Sequence, residues 1–263
     1  MQSNTLSPRD LILTLIDSAA SPTLTARYFV AAGDLFELDS GSMRVALARL
    51  VKEGALRQPE RGTYALDSRA GTLHRLVRNW AQIESSVKPW DETWLAVYVA
   101  HLPRSAKTQL RARERALRLF GFAEVHTGLW IRPDNLVMPI AELHLGLQDL
   151  GLDPAAMLFQ LDNPRPDILS QNDLWPRAQL EQGYQDNINA LAASTERLSN
   201  YSATQTAREV LALGRRVTRS ILLDPLLPAE LINVQLRQQM VNDMRAYDRL
   251  ARPYWRKLYR QYN

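Results

Sequence analysis

Apolar residues recur at helical spacing through most of this chain, and the stretches that break the rhythm mark its joints. Leu11, Ile12, Leu15 and Ile16 form a first stripe, opened by Ser7 as cap and Pro8 at the first helical position. Ser21-Pro22-Thr23 interrupts it. A second short helix is expected from Thr25 to Phe36, with Ala26, Phe29, Val30 and Leu35 turned inward. The third runs from Asp39 or Ser40 as N-cap to a stop at Gly54. Met43, Ala46, Leu47 and Leu50 fall on one side of it. Gly41, Ser42, Val45, Ala48, Arg49 and Lys52 face the other way, with Arg44 on the flank. Two strand-like runs follow, Ala55 to Arg57 and Thr63 to Leu66, around a turn containing Pro59, Arg61 and Gly62. Three helices and a hairpin in this order have the layout of a winged helix-turn-helix.

Beyond the hairpin, Thr72 to Ile83 reads as a connector helix packing through Leu73, Leu76, Val77 and Trp80, with a break from Ser85 to Pro89. Trp94 to Val99 reads as a strand and Ser105 to Phe120 as a helix with Leu110, Leu117 and Phe120 buried. Phe122 to Val125 and Leu129 to Arg132 are two strands joined at Thr127-Gly128. Pro139 to Leu150 is a helix and Ala156 to Leu161 a last strand, so the order β-α-β-β-α-β matches the ferredoxin-like plan. From Asn172 onward the pattern is helical: Trp175 to Leu198 with a possible interruption near Gly183, then Thr204 to Leu223, then Leu231 to Tyr262 with a kink at Pro253. The fold class is therefore α+β. Its expected parts are a winged-helix domain over 1–70, a linker helix over 71–89, a ferredoxin-like domain over 90–165 and a helical C-terminal domain over 166–263.

Composition narrows the function classes. The 263 residues are 46% hydrophobic and contain no cysteine, which excludes disulfides, thiolate metal sites and a cysteine nucleophile. No apolar run approaches the length of a membrane span, and MQSNTLSPRD lacks the layout of a secretory signal, so a cytoplasmic protein is expected. The net charge of +4 says little by itself, but its distribution is uneven. Ser40 to Arg61 holds five basic residues against two acidic, Arg104 to Arg118 six against one, and Asp243 to Arg260 six against two.

These charges point to duplex DNA. Short residues let a helix sit deep in the major groove while longer arginines reach base edges or phosphates. Ser42, Arg44, Val45 and Arg49 are the candidates for base edges or nearby backbone, and Ser40, Lys52, Arg57 and Arg61 for phosphates, the last two from the wing. The basic helices Arg104 to Arg118 and Arg245 to Arg260 have two readings, flanking phosphate contacts or a solvated face, and the second is preferred.

Enzymatic chemistry finds no foothold. The four histidines, His74, His101, His126 and His144, lack metal-site spacing, although His101 and His126 would approach if their strand ends are adjacent. There is no glycine-rich phosphate loop and no G-x-S-x-G elbow. The middle unit is also similar to the small metal-dependent nuclease of CRISPR adaptation, which carries an aspartate after its first strand. Ala100, His101, Leu102 and Pro103 stand there instead.

SPRDLILTLIDS, SGSMRVALARLVKEGALR, WDETWLAVYV, LRLFGFAEVHTGLWIRPDNL and RSILLDPLLPAEL occur in this order. Together they give the chain a resemblance, over nearly its whole length, to the phenylacetic acid degradation repressor (PaaX) family of bacterial transcription regulators. The resemblance implies a cytoplasmic homodimeric repressor of aromatic-acid catabolism, without a cofactor, released from DNA by an aryl-acyl-CoA such as phenylacetyl-CoA. An acyl-CoA needs cations for its phosphates and an apolar slot. Arg208, Arg215, Arg216 and Arg219 with Trp130, Trp175, Tyr184 and Tyr201 are the candidates, in a pocket between the middle and C-terminal domains. One departure is that Asn233-Val-Gln-Leu-Arg-Gln stands where the family pattern has Trp-Pro-Gly. An activator or dual regulator answering another acyl-CoA or a carboxylate is thus the alternative, and a metal-dependent nuclease a remote third.

Overall fold

A computed structural model describes residues 6–19, 21–67, 71–162 and 174–263. Asn172, where the helical C-terminal part was expected to begin, and the start of that domain at 166 lie outside the described residues. The chain is a mixture of helices and small antiparallel sheets, α+β as expected, and divides into two compact units. One comprises Met1–Arg78, Ala190–Thr218 and Asp243–Asn263; the other comprises Asn79–Asn189 and Arg219–Asn242. These groupings follow contacts rather than chain order, so they differ from the consecutive segments anticipated above.

The first unit opens with α1 (Pro8–Ser18), β1 (Leu24–Thr25), α2 (Ala26–Asp34) and α3 (Ser40–Lys52), then β2 (Leu56–Arg57), β3 (Thr63–Leu66) and α4 (Thr72–Arg78). Each of the first three helices starts on a side-chain cap. Ser7 Oγ accepts from Asp10 N at 3.1 Å, Thr25 Oγ1 from Tyr28 N at 3.1 Å, and Asp39 Oδ1 from Ser42 N at 2.9 Å. Leu11, Ile12, Leu15 and Ile16 are buried against Phe29, Met43, Leu47, Leu50 and Leu56. At Gly33 a Cβ would lie 2.8 Å from Met43 Cγ, so glycine lets α2 and α3 approach at this point. The sheet runs β1-β3-β2, with Leu24 opposite Tyr64 and Arg57 opposite Ala65.

Distant parts of the chain complete this core. Leu211 of α8 (Ala203–Leu222) and Leu258 of α9 (Val234–Tyr262) are buried in it, and Tyr254, Trp255, Tyr259 and Tyr262 pack against it. Thr25 N donates to Asn263 Oδ1 at 2.6 Å, and Thr25 Oγ1 donates to the Tyr262 carbonyl. The continuous α9 runs through Pro253 to Tyr262. Likewise α7 (Arg177–Leu198) is unbroken at Gly183.

The expected connector helix is corrected: α4 ends at Arg78, Asn79 adopts φ −97° and ψ 7°, and a 3₁₀ segment spans Trp80–Ser86. Leu73, assigned to the packing face, is exposed.

In the second unit β4 (Trp94–Tyr98), α5 (Lys107–Leu119), β5 (Ala123–His126), β6 (Leu129–Pro133), α6 (Ile140–Asp149) and β7 (Met157–Leu161) follow in the order read from the sequence. The sheet order is β5-β6-β4-β7 and every pairing is antiparallel. Strand alternation sends Trp94 and Ala96 to one face, where they join Val125 and Ile131, and Leu95 and Val97 to the other. Leu117 and Phe120 are buried as expected, whereas Leu110 is half-buried.

Among the described residues of this unit, Arg113, Arg132 and Arg237 are buried. Arg237, 1% exposed, donates to both carboxylate oxygens of Glu84 at 2.9 and 3.3 Å and to the Leu227 carbonyl at 2.8 Å. Asp224 lies 3.7 Å from it and accepts from the Tyr184 hydroxyl and from Leu226 N. Burial pushes the Tyr184 phenol well above its ordinary range, and neighbouring Asp224 adds to the shift.

Candidate nucleic-acid interface

The outward face of α3 is built by its cap and its buried stripe. With Asp39 fixing the first turn and Met43, Leu47 and Leu50 fully buried, helical geometry leaves Gly41, Ser42, Arg44, Val45, Ala48, Arg49 and Lys52 exposed. Val45 is 63% exposed, a large apolar side chain in the middle of a cationic surface. Arg44 to Lys52 spans about 12 Å of helix, comparable to the width of the major groove. Asp39 is exposed and its carboxyl is held below the usual range, chiefly by the Ser42 hydroxyl and backbone N–H.

Glu53 closes the surface at the helix end, where Arg9 pairs with it. Gly54 then turns the chain at φ +73°, a conformation suited to glycine. The hairpin presents Arg57 and Arg61, both exposed. Thus Arg44, Val45, Arg49, Lys52, Arg57 and Arg61 are all solvent-facing in a single unit. Of the two serine candidates, Ser40 is half-buried, and Ser42 is exposed with its hydroxyl donating to Asp39. The Ser42–Asp39 pair thus also closes the first turn of the helix.

The effector candidates are divided between the two units in sequence membership. Arg208, Arg215 and Arg216 belong to the first unit, while Trp130, Trp175, Tyr184 and Arg219 belong to the second. Arg208 lies 3.5 Å from Glu37 and Arg215 3.5 Å from Asp10. Arg216 and Arg219 are exposed. Trp130 is 1% exposed and sits under the Arg118 guanidinium, 5.1 Å from its ring centre, so it is core rather than an open wall. Tyr184 is equally buried on Asp224. Trp175 borders a cleft of about 510 Å³ with Arg118, Phe122, Glu124, Leu180 and Pro225. The indole N–H of Trp175 donates to the Gly121 carbonyl at 3.1 Å and its ring stacks on Trp94. Arg118 and Phe122 were missed as lining residues, although Arg118 ends a basic run visible in the sequence.

Among the described residues no group of three or more His, Asp or Glu side chains is disposed to hold a metal ion. His101 Nε2 lies 2.9 Å from the Ala155 carbonyl and its ring stacks on Tyr98. No helix among the described residues is long and apolar enough to cross a membrane.

No family model matches the chain, and no curated protein matches it. Among solved structures it is similar to an uncharacterized protein, Rv0674, from Mycobacterium tuberculosis, with a TM-score of 0.63 and 20% identity. The likeness covers 97% of this chain and 98% of the other, so the fold is shared over both.

Proposed function

We propose that the chain is a DNA-binding transcriptional regulator whose reader is a winged helix-turn-helix with α3 as recognition helix. The observation carrying this reading is the α3 face: exposed Arg44, Val45 and Arg49, backed by a fully buried apolar stripe and flanked by the cationic hairpin. The order helix–strand–helix–helix–strand–strand, closed by a β1-β3-β2 sheet, supports the winged-helix assignment. The β5-β6-β4-β7 order supports a ferredoxin-like middle.

In this reading Arg44, Val45 and Arg49 meet base edges, and Lys52, Arg57 and Arg61 hold phosphates. The regulator acts as a homodimer in the cytoplasm, presenting two α3 helices to grooves about 34 Å apart. Self-association through the second unit is supported by β7, which ends its sheet and leaves Met157 and Phe159 exposed. The PaaX resemblance adds repression of an aromatic-acid operon and release by an aryl-acyl-CoA. The cleft beside Trp175 and Arg118 is the better candidate for an effector's apolar group than the original arginine set, because it combines an open aromatic wall with a cation.

The test is a gel shift with the protein's own upstream DNA and a scrambled duplex. Arg49→Ala should cost about 1–3 kcal/mol on the cognate site and relax specificity, and Arg61→Ala should weaken both duplexes alike. Wild-type affinity of both variants on both duplexes would reject the assignment. Adding acyl-CoA thioesters to the bound complex then screens for the effector. Incubation of the duplex with Mg²⁺ or Mn²⁺ separates this reading from a nuclease.

A further inference from the structure

The C-terminal helix supplies a second observation, at the edge of the same reader. Its last turn is tied to the first turn of α2 by the two hydrogen bonds from Thr25 to Tyr262 and Asn263. The rings of Tyr28 and Tyr259 meet edge to face, 6.2 Å between centres. Thr25 in turn lies opposite Thr63 of the hairpin, and Ala26 N donates to the Gly62 carbonyl at 2.8 Å. The end of α9, the start of α2 and the base of the wing are therefore one assembly.

That assembly is cationic. Arg27 on the first turn of α2 is exposed, as are Arg256, Lys257 and Arg260 on the last turns of α9. On α9 the packing side is set by Tyr254, Leu258 and Tyr262, and at 100° per residue Arg256 and Arg260 project opposite it with Lys257 on the flank. None of these four cations has a carboxylate partner within 4 Å among the described residues, whereas Arg252, one turn earlier, is engaged by Asp248 at 3.1 Å. A shelf of unneutralised charge beside the wing is complementary to a polyanion running past it.

We propose that Arg27, Arg256, Lys257 and Arg260 form an auxiliary phosphate-binding shelf that extends the duplex footprint beyond the base pairs read by α3. The proposal rests on the DNA-binding reading above. The shelf contributes affinity and salt dependence without sequence preference, because phosphates carry no base information.

The experiment measures fluorescence anisotropy of the full-length protein on a labelled cognate duplex, long or trimmed at its flanks, and on a scrambled duplex, from 50 to 300 mM KCl. The triple variant Arg256→Gln/Lys257→Gln/Arg260→Gln should flatten the slope of log K against log salt by roughly 2–3 and lose roughly tenfold in affinity at 0.1 M salt for each contact removed. The cognate-to-scrambled ratio should stay at the wild-type value, and trimming the flanks should erase the difference between variant and wild type. Arg256→Lys/Arg260→Lys, which keeps the charge, should bind like wild type. A triple variant with the wild-type slope on the long duplex overturns the shelf. If Arg49→Ala still loses specificity in that experiment, the α3 reading stands without it. If wild-type protein binds no duplex, both fall.

Discussion

The arginines of α3 and the arginine at position 237 are the same residue type under opposite rules. Arg44 and Arg49 stand in water, where their charge is cheap to hold and free to meet a partner. Arg237 is sealed between Glu84, Asp224 and the Leu227 carbonyl, where every donor it leaves unpaired would be costly. The first arrangement suits recognition and the second suits architecture. Charge content alone does not tell them apart; what surrounds each guanidinium does.

The comparison is broken most severely at the buried member. Arg237→Ala should remove about 3–5 kcal/mol of stability, because Glu84 and Asp224 are left as uncompensated charges. Chemical denaturation of the variant reads this directly, and a loss below that of a surface substitution would show that the network is not cooperative. Next comes the packing that carries the exposed member. Gly33→Val forces a branched side chain onto Met43 and should cost about 1–3 kcal/mol, together with weaker DNA binding as α3 is displaced. Arg49→Ala sharpens the contrast, since its stability should stay within about 0.5 kcal/mol of wild type while cognate affinity falls. Equal losses in stability and binding would place Arg49 among the structural arginines.

The smallest effect is a pH dependence at the start of α3. Asp39 is held below its ordinary value by Ser42, so its stabilising contribution is present above the unfolded carboxyl value and fades as pH falls through the folded one. An NMR titration of the Asp39 carboxyl should give a midpoint below 3.8 in wild type, returning toward 3.8 in Ser42→Ala. An unshifted midpoint in wild type would mean that the cap is not formed in solution.

Much of this architecture was readable from residue spacing. The stripes Leu11–Ile16 and Met43–Leu50, with Ser7 and Asp39 as caps, set α1 and α3 because local hydrogen bonding and one-sided burial act within a few residues. The alternation of strand and helix from Trp94 to Leu161 likewise matched the sheet observed. Periodicity identifies an apolar side but not what is laid against the polar one. Hence Arg113, in a helix whose basic side read as solvated, is buried, and Trp130 and Tyr184 read as pocket walls yet are core. Gly183 read as an interruption, but long-range packing by Tyr184, Ile188 and Leu191 outweighs the local penalty. The break at Asn79 had no local signal comparable to a proline or glycine.

The tie between Thr25 and the C-terminal residues has a consequence for how the polypeptide is made. The first unit's apolar interior is finished by Leu211 and Leu258, which leave the ribosome long after Leu11 and Phe29. A nascent chain that has emerged only as far as Arg78 carries an uncovered greasy strip around Tyr28, inviting chaperones or misassembly. Synthesis order therefore delays completion of this apolar interior until the segment around Leu258 has been made.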